Sequence, residues 1–218
     1  AIGSVAFPVY SRLQTNKDQL QVAMRKFLQH SMIFLVPLTV GLIVVANPFV
    51  ILLIKEKWAP MIPYLQLLCV VGILYPIHMV NVQVMVALGK TRMNFKLNWV
   101  KNSLRLINIA IMLNYGVLYI IIGEIVLSVI SLAINAWFIK RFVDYGLWKQ
   151  IKDVWKIFAG GIIGGVIGYM PVFLTSSLWI LLVSGIVFSS ATFLGFQYIA
   201  NKKLLMDTIQ LKDYFKRR

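Results

Sequence analysis

Long apolar runs separated by short connections constrain this sequence more than any other feature. Six runs are long enough to cross a membrane as helices, which takes about 20 residues each; they occupy residues 31–54, 60–89, 94–113, 117–139, 157–174 and 178–200. Hydrophobic residues make up 60% of the 218 residues and charged residues only 13%, whereas a soluble domain carries about 25% charged residues. The sequence therefore predicts an all-α polytopic membrane protein with six transmembrane helices.

The basic residues lie mainly between these runs, and their number alternates along the chain. Lys and Arg together number 4 in residues 11–30, 2 in 55–59, 5 in 90–105, 0 in 114–116, 5 in 140–156, 0 in 175–177 and 6 in the tail 201–218. Because short loops rich in Lys and Arg stay in the cytoplasm, the alternation predicts that the loops with high counts and the C-terminus are cytoplasmic. It also accounts for the net charge of +15 without nucleic-acid binding, which needs a basic face exposed to water.

The segments outside the six runs complete the domain organisation. Residues 1–10 are apolar, too short to span and begin without Met, so we expect them to be the end of a truncated transmembrane helix of a longer protein. Residues 31–139 then hold four transmembrane helices and residues 157–200 hold two. Residues 11–30 and 140–156 are predicted to be cytoplasmic amphipathic connectors, which either lie among anionic headgroups or pack beneath the bundle.

Two local patterns indicate how particular helices begin and pack. Thr15 and Asp18 form a capping-box pattern, which predicts a helix start at this point. In the fifth span, glycines recur at a spacing of four residues, which lets another helix approach closely. These glycines are Gly160, Gly161, Gly164, Gly165 and Gly168.

Residues that could support catalysis or bind a cofactor are scattered. The two histidines, His30 and His78, have no carboxylate near them in the sequence, and Cys69 stands alone in an apolar run. Six of the seven acidic residues lie in connections or in the tail, and no glycine-rich phosphate-binding loop is present. The sequence therefore predicts a protein that is not an enzyme, with no metal site and no cofactor.

A histidine and an acidic residue lie inside predicted spans, where such groups are costly to bury and usually functional. His78 shares a helix face with Tyr75 and Asn81; it is either a ligand contact or pH-sensitive group, or a hydrogen-bonding partner for another helix. Glu124 is the only acid well inside a span. It either binds a coupling ion, H⁺ or Na⁺, or lies close enough to the outer boundary to reach water.

The third span carries a polar stripe along one face. Its polar residues follow each other at spacings of one, three or four, which places them on one side of a helix; they are Thr91, Asn94, Asn98, Lys101, Asn102, Arg105 and Asn108. Arg105 lies roughly 13 Å from the outer turn, near the membrane midplane. A cationic stripe at this depth is expected to face a wet cavity. Alternatively, Lys101 reaches the cytoplasmic headgroups and Arg105 pairs with a buried acid such as Glu124.

Three stretches of the chain resemble the polysaccharide flippases that export bacterial O-antigen, capsule and exopolysaccharide. They are FPVYSRLQ (Phe7 to Gln14), KWAPMIPYLQLL (Lys57 to Leu68) and ALGKTRMNFKLNWVK (Ala87 to Lys101). This family belongs to the superfamily that includes the multidrug and toxic compound extrusion transporters. The resemblance extends over the whole chain and is weakest after residue 140.

The resemblance implies a transporter of the bacterial plasma (inner) membrane with 12 to 14 spans in two bundles, of which this chain is most of the second. The missing N-terminal bundle of the same protein would be its partner, with membrane lipids around both. Such proteins move an undecaprenyl-diphosphate-linked oligosaccharide to the outer leaflet by alternating access. A diphosphate suits the cationic stripe, because Arg binds phosphate with paired hydrogen bonds and Lys as a point charge. The candidate substrate-binding residues are Arg105, Lys101, Asn98, Asn102, Asn108 and His78.

The sequence favours this function over two others. A drug/cation antiporter of the same superfamily would be favoured by several acids inside spans, and only Glu124 qualifies. A membrane-embedded glycosyltransferase or ligase would need a large outer loop, whereas the three predicted outer connections are only a few residues long.

The predicted topology is tested by labelling single cysteines in a Cys-free background. Asn114→Cys and Lys149→Cys should react with a membrane-impermeant thiol reagent from opposite sides of the membrane, because the loop counts of Lys and Arg assign them to opposite sides. Labelling of both from the same side would contradict the six-span arrangement.

Overall fold

The structure, a computed structural model, describes residues 2–208 and the side chains from residue 6 onward. Within these residues the chain is helical and contains no strand. The α-helices are α1 (Ile2–Leu13), α2 (Lys17–Phe49), α3 (Ile62–Ala87), α4 (Thr91–Met112), α5 (Val117–Val143), α6 (Leu147–Tyr169) and α7 (Leu178–Ala200). Shorter helical turns extend or join them at Val50–Ile54, Glu56–Met61, Leu113–Tyr115 and Met170–Phe173. The predicted all-α class is confirmed.

Five helical segments of the described part are long and apolar enough to cross a membrane. They are Lys17–Ile54, Glu56–Ala87, Val117–Val143, Leu147–Phe173 and Leu178–Ala200, and they make the chain a polytopic membrane protein. The third predicted span corresponds to α4, which is absent from this set because its polar stripe lowers its mean hydropathy. With 22 residues, α4 is about 33 Å long, enough to cross a ~30 Å hydrocarbon core. Its role as a sixth span remains a prediction.

The helix ends follow from local hydrogen bonds. The backbone N–H of Gln19 donates to Asn16 Oδ1 at 3.1 Å, and α2 begins at Lys17, so Asn16 caps this helix. The predicted cap at Thr15 is wrong by one residue, because Asn16 lies closer to the unpaired N–H groups of the first turn.

The end of α3 is a Schellman motif centred on Gly89. The backbone N–H of Lys90 donates to Met85 O at 2.9 Å and that of Gly89 to Val86 O at 3.0 Å. Gly89 has a φ of +71°, a conformation that glycine adopts without a steric penalty. The turn between α3 and α4 is thus fixed by the Leu-Gly pair of the third motif.

The packing divides into two compact units. Among the described residues, the first contains 2–31 and Val70–Asp153, and the second contains Met32–Cys69 and 154–208. Residues 17–30 of the predicted connector and residues 31–49 of the first predicted span lie on one continuous helix, α2, while residues 11–13 belong to the end of α1. The second predicted connector, 140–156, is divided between the end of α5, a short bend and the start of α6.

The core of the first unit combines apolar and polar contacts. Leu20, Met24 and Leu28 are fully buried along one face of α2. Near them, Asp153 accepts a hydrogen bond from Tyr145 Oη at 2.8 Å and pairs with the Arg25 guanidinium. Burial and this hydrogen bond raise the pKa of Tyr145 above its usual range, so its hydroxyl remains a donor. The N-terminal part of α2 is therefore packed against protein.

A second buried contact in this unit is a reciprocal amide pair. Asn81 Nδ2 donates to Gln150 Oε1 at 3.0 Å, and Gln150 Nε2 donates to Asn81 Oδ1 at 2.8 Å. Neither side chain is exposed. Because each amide satisfies the other, α3 and α6 are joined without an unpaired polar group.

The second unit is packed around the glycines of α6, which present two faces. Gly160, Gly164 and Gly168 lie against α7, where a Cβ on Gly164 would be 2.8 Å from the carbonyl oxygen of Ser189. Gly161 and Gly165 lie against the side chains of Val36 and Val40 on α2. The glycine pattern thus serves two neighbouring helices, since positions four apart share one face and adjacent positions do not.

The Gly164 contact is tested by a matched pair of substitutions. Gly164→Ala should lower the free energy of unfolding by about 1–3 kcal/mol, because the backbone of α7 must move to admit the methyl group. Gly195→Ala, on α7 with nothing within 4 Å of the added Cβ, should not destabilise. Thermal denaturation of the purified full-length protein measures both. Equal stability of the two variants would contradict the packing.

Candidate functional site

A polar cleft lies in the first unit between α3, α4 and α5. Its volume is about 210 Å³. The lining residues are Val71, Tyr75, His78 and Val82 of α3, Asn98, Lys101, Asn102 and Arg105 of α4, and Ser128, Ser131 and Asn135 of α5. Five of the six predicted substrate-binding residues therefore lie around one cavity.

The position of α4 in the cleft follows from its two-faced sequence. Four residues of the polar stripe line the cleft, while large apolar side chains on other faces are exposed. Trp99 is 64% exposed and Leu106 is 68% exposed. Apolar side chains are stable against lipid, and polar side chains are stable against protein or water. One orientation of α4 about its axis therefore satisfies both faces.

Arg105 both lines the cleft and forms an ion pair with α5. Its Nε lies 2.9 Å from Glu124 Oε1, and the two side chains are 44% and 26% exposed. The sequence left open whether Arg105 faces a cavity or pairs with Glu124. In the structure it does both. Since the contact uses the Nε edge, the remaining N–H groups of this half-exposed guanidinium can reach a ligand.

Lys101 begins a chain of polar contacts across the cleft. Its Nζ donates to Asn135 Oδ1 at 3.1 Å. Asn135 Nδ2 lies 3.4 Å from His78 Nδ1, and His78 Nε2 lies 3.2 Å from Ser128 Oγ. The lysine is therefore held by α5.

Asn108 is the predicted site residue that does not line the cleft. Its Nδ2 donates to the carbonyl oxygen of Ile120 at 3.0 Å, and its side chain lies over Gly123. It joins α4 to α5 close to the turn at residues 113–115. This contact positions Arg105, one helical turn away, opposite Glu124.

The sequence analysis missed the residues that α5 contributes. Ser128, Ser131 and Asn135 are buried and line the cavity. Their spacing of three and four places them on one helix face, which is the signal that could have found them. Within residues 2–208 no three His, Cys, Asp or Glu side chains come together as a metal site would require.

The Asn108 contact is tested by a double substitution. A Cβ on Gly123 would come within 2.8 Å of three side-chain atoms of Asn108, so Gly123→Ala should destabilise the hairpin by about 1–3 kcal/mol. Adding Asn108→Ala removes the clash and should restore part of the lost thermal stability. If the double variant is no more stable than Gly123→Ala alone, the two residues are not in contact and this geometry is contradicted.

The fold and the cleft define a class, the polytopic helical membrane proteins with a polar cavity between their helices. Comparison with known proteins narrows it. Residues 1–63 match the model of a family described as "Polysaccharide biosynthesis protein". No solved structure matches the chain significantly.

Three curated relatives agree with this match. The chain is 38% identical over 103 residues to "Lipopolysaccharide biosynthesis protein WzxC" of Escherichia coli (strain K12). These residues make up 47% of this chain and 21% of the relative. It is 32% identical over 100 residues to an "Uncharacterized membrane protein in cps region" of Klebsiella pneumoniae, covering 46% and 21%. It is 28% identical over 176 residues to "Teichuronic acid biosynthesis protein TuaB" of Bacillus subtilis (strain 168), covering 76% and 34%.

The chain is therefore similar to polysaccharide biosynthesis proteins, over residues 1–63 for the family model and over 100 to 176 residues for the three relatives. This similarity agrees with the resemblance that the three motifs carry. The matched regions span between a fifth and a third of the length of the curated relatives.

Proposed function

We propose that the whole protein moves an undecaprenyl-diphosphate-linked oligosaccharide across the bacterial plasma membrane by alternating access, and that the cleft between α3, α4 and α5 binds the diphosphate. This chain would supply most of the second bundle of the transporter, with its C-terminus in the cytoplasm. The relatives' names, which refer to lipopolysaccharide and teichuronic acid, support a glycan as cargo.

The observation that carries this proposal is the pair of cations on one face of α4. Lys101 and Arg105 are one helical turn apart and both line the same cavity. A diphosphate diester carries two negative charges, and Arg binds such groups with paired, charge-assisted hydrogen bonds. The amides of Asn98 and Asn102, at the same cavity, add neutral donors for phosphate or sugar oxygens.

The structure favours an anion over a cation as ligand. Glu124, the only acid well inside a span, is paired with Arg105 at 2.9 Å, so its charge is already compensated. A drug/cation antiporter needs a carboxylate that is available to its cation. The antiporter alternative would therefore require the Arg105–Glu124 pair to break before each cation binds, which would leave Arg105 without its counterion.

Substitution of Arg105 in the full-length protein tests the proposed site. Arg105→Gln should lower glycan export at least about tenfold, because a hydrogen bond to a charged group contributes about 1.5–3 kcal/mol, and Arg105→Lys should retain part of the export. Surface glycan in a flippase-deficient strain is measured, normalised to the amount of transporter in the membrane. Arg92→Gln, at the exposed start of the same helix, is the matched control and should export normally.

The partner residue separates ligand binding from a structural ion pair. Glu124→Gln should keep export, and the double variant Arg105→Gln with Glu124→Gln should lack it, since the phosphate would still miss its arginine. If the pair is only structural, the double variant removes both charges and restores export. If the single variant Glu124→Gln loses export, the result supports the antiporter hypothesis instead.

A further inference from the structure

We propose that His78 is a proton-binding site whose protonation releases Lys101 into the cleft, so that one proton and the anionic ligand bind together. The inference rests on the diphosphate site proposed above and adds the coupling ion to it. Asn135 acts as the positioning residue between the histidine and the lysine.

The directions of the hydrogen bonds around Asn135 are fixed by its neighbours. The Lys101 ammonium has donors and no acceptor, so the amide must present Oδ1 to it, at 3.1 Å. The Nδ2 group of Asn135 therefore faces His78 Nδ1, at 3.4 Å. Because Nδ2 is a donor, Nδ1 must be an acceptor and carry no proton.

This arrangement specifies the protonation state of His78. With Nδ1 unprotonated, the ring is neutral and its hydrogen is on Nε2, which donates to Ser128 Oγ at 3.2 Å. A protonated ring would have donors at both nitrogens. The Nδ1–H group would then face the Nδ2–H group of Asn135, two donors with no acceptor between them.

Protonation of His78 is resolved by a rotation of the Asn135 amide. Nδ1 takes one proton from water and forms one N–H bond, and the amide turns so that Oδ1 accepts from it. Nδ2 then faces the Lys101 ammonium, again donor against donor, and the lysine loses its acceptor. Since Asn135 is fully buried, its amide depends on these two neighbours for its bonds. Lys101 borders the cavity and can swing into it.

The cations around His78 disfavour its protonated state unless an anionic ligand is bound. Lys101 and Arg105 of α4 face His78 across the cleft, Tyr75 lies one turn away from it on α3, and Glu124 is already paired with Arg105. A protonated His78 beside Lys101 and Arg105 is a cluster of like charges, which is unfavourable unless an anion enters. Proton and anion therefore increase each other's affinity by the same factor.

The wild-type full-length protein in nanodiscs tests the coupling directly. The probe is a short-chain prenyl diphosphate N-acetylglucosamine, a diester whose phosphates do not titrate between about pH 5 and 8, where histidines do. Calorimetry in buffers of different ionisation enthalpy should show uptake of up to one proton per probe bound. The dissociation constant should fall on acidification by up to about tenfold per pH unit.

Three variants identify the group that binds the proton. In His78→Gln the proton uptake and the pH dependence should be lost. In Asn135→Ala the lysine has no acceptor at any pH, so binding at neutral pH should be tighter than in the wild type and should depend less on pH. His30→Gln, which changes the other histidine, is the matched control and should bind like the wild type.

The possible outcomes separate this inference from the proposed function. Wild-type binding without proton uptake, or pH dependence that persists in His78→Gln, overturns the coupling and leaves the diphosphate site in place. Absence of probe binding at every pH overturns the site and the coupling together. If His78→Gln does not fold, the wild-type proton uptake and the Asn135→Ala variant still decide the question.

Discussion

The free energy of placing charged and polar groups inside a membrane-spanning bundle is the constraint on which the rest of this structure depends. Lys101 and Arg105 lie on a helix whose other faces carry exposed apolar side chains. Neither cation can face lipid without a large penalty, so both turn toward α5. There Asn135 and Glu124 accept from them. The cleft exists because α4 directs these two cations toward α5 and away from its apolar faces.

The two units meet the same constraint by different means. In the first unit, amides and ion pairs such as Asn81–Gln150 join helices through hydrogen bonds. In the second, α6 approaches α2 and α7 through its glycines. Lipid offers no hydrophobic driving force for helix association, so close backbone contact and interhelical hydrogen bonds take its place. The polar unit contains the cleft, which agrees with a division between ligand contact and structural support.

Lys101 and Arg105 each have a partner within the protein, and these partners affect how tightly a ligand could bind. Paired cations are stable when the cavity is empty, and at the proposed diphosphate site Lys101 would exchange a neutral acceptor, Asn135, for a phosphate. The gain on binding would then be the difference between two sets of contacts, which keeps affinity moderate. Moderate affinity suits the proposed transport, since the ligand must leave on the far side of the membrane.

Much of the fold and part of the site could be predicted from the sequence. The predicted spans 117–139 and 178–200 fall within or coincide with α5 and α7, because apolar length is a property that each segment carries by itself. The polar face of α4 followed from the period of one helix. Five of the six predicted ligand residues share the cavity. Asn108 does not, because only the packing of α5 shows that the Ile120 carbonyl takes its amide.

The sequence by itself determined that the chain is helical, that it crosses a membrane several times and that one helix carries a cationic stripe. Tertiary structure alone decided which groups meet that stripe. Glu124 is 19 positions away from Arg105 and Asn135 is 34 away from Lys101, and periodicity within one helix carries no information about which residues of the next helix lie opposite. The register of α4 against α5 sets those pairs, and it arises from the turn at Gly116 and the packing of Asn108 over Gly123.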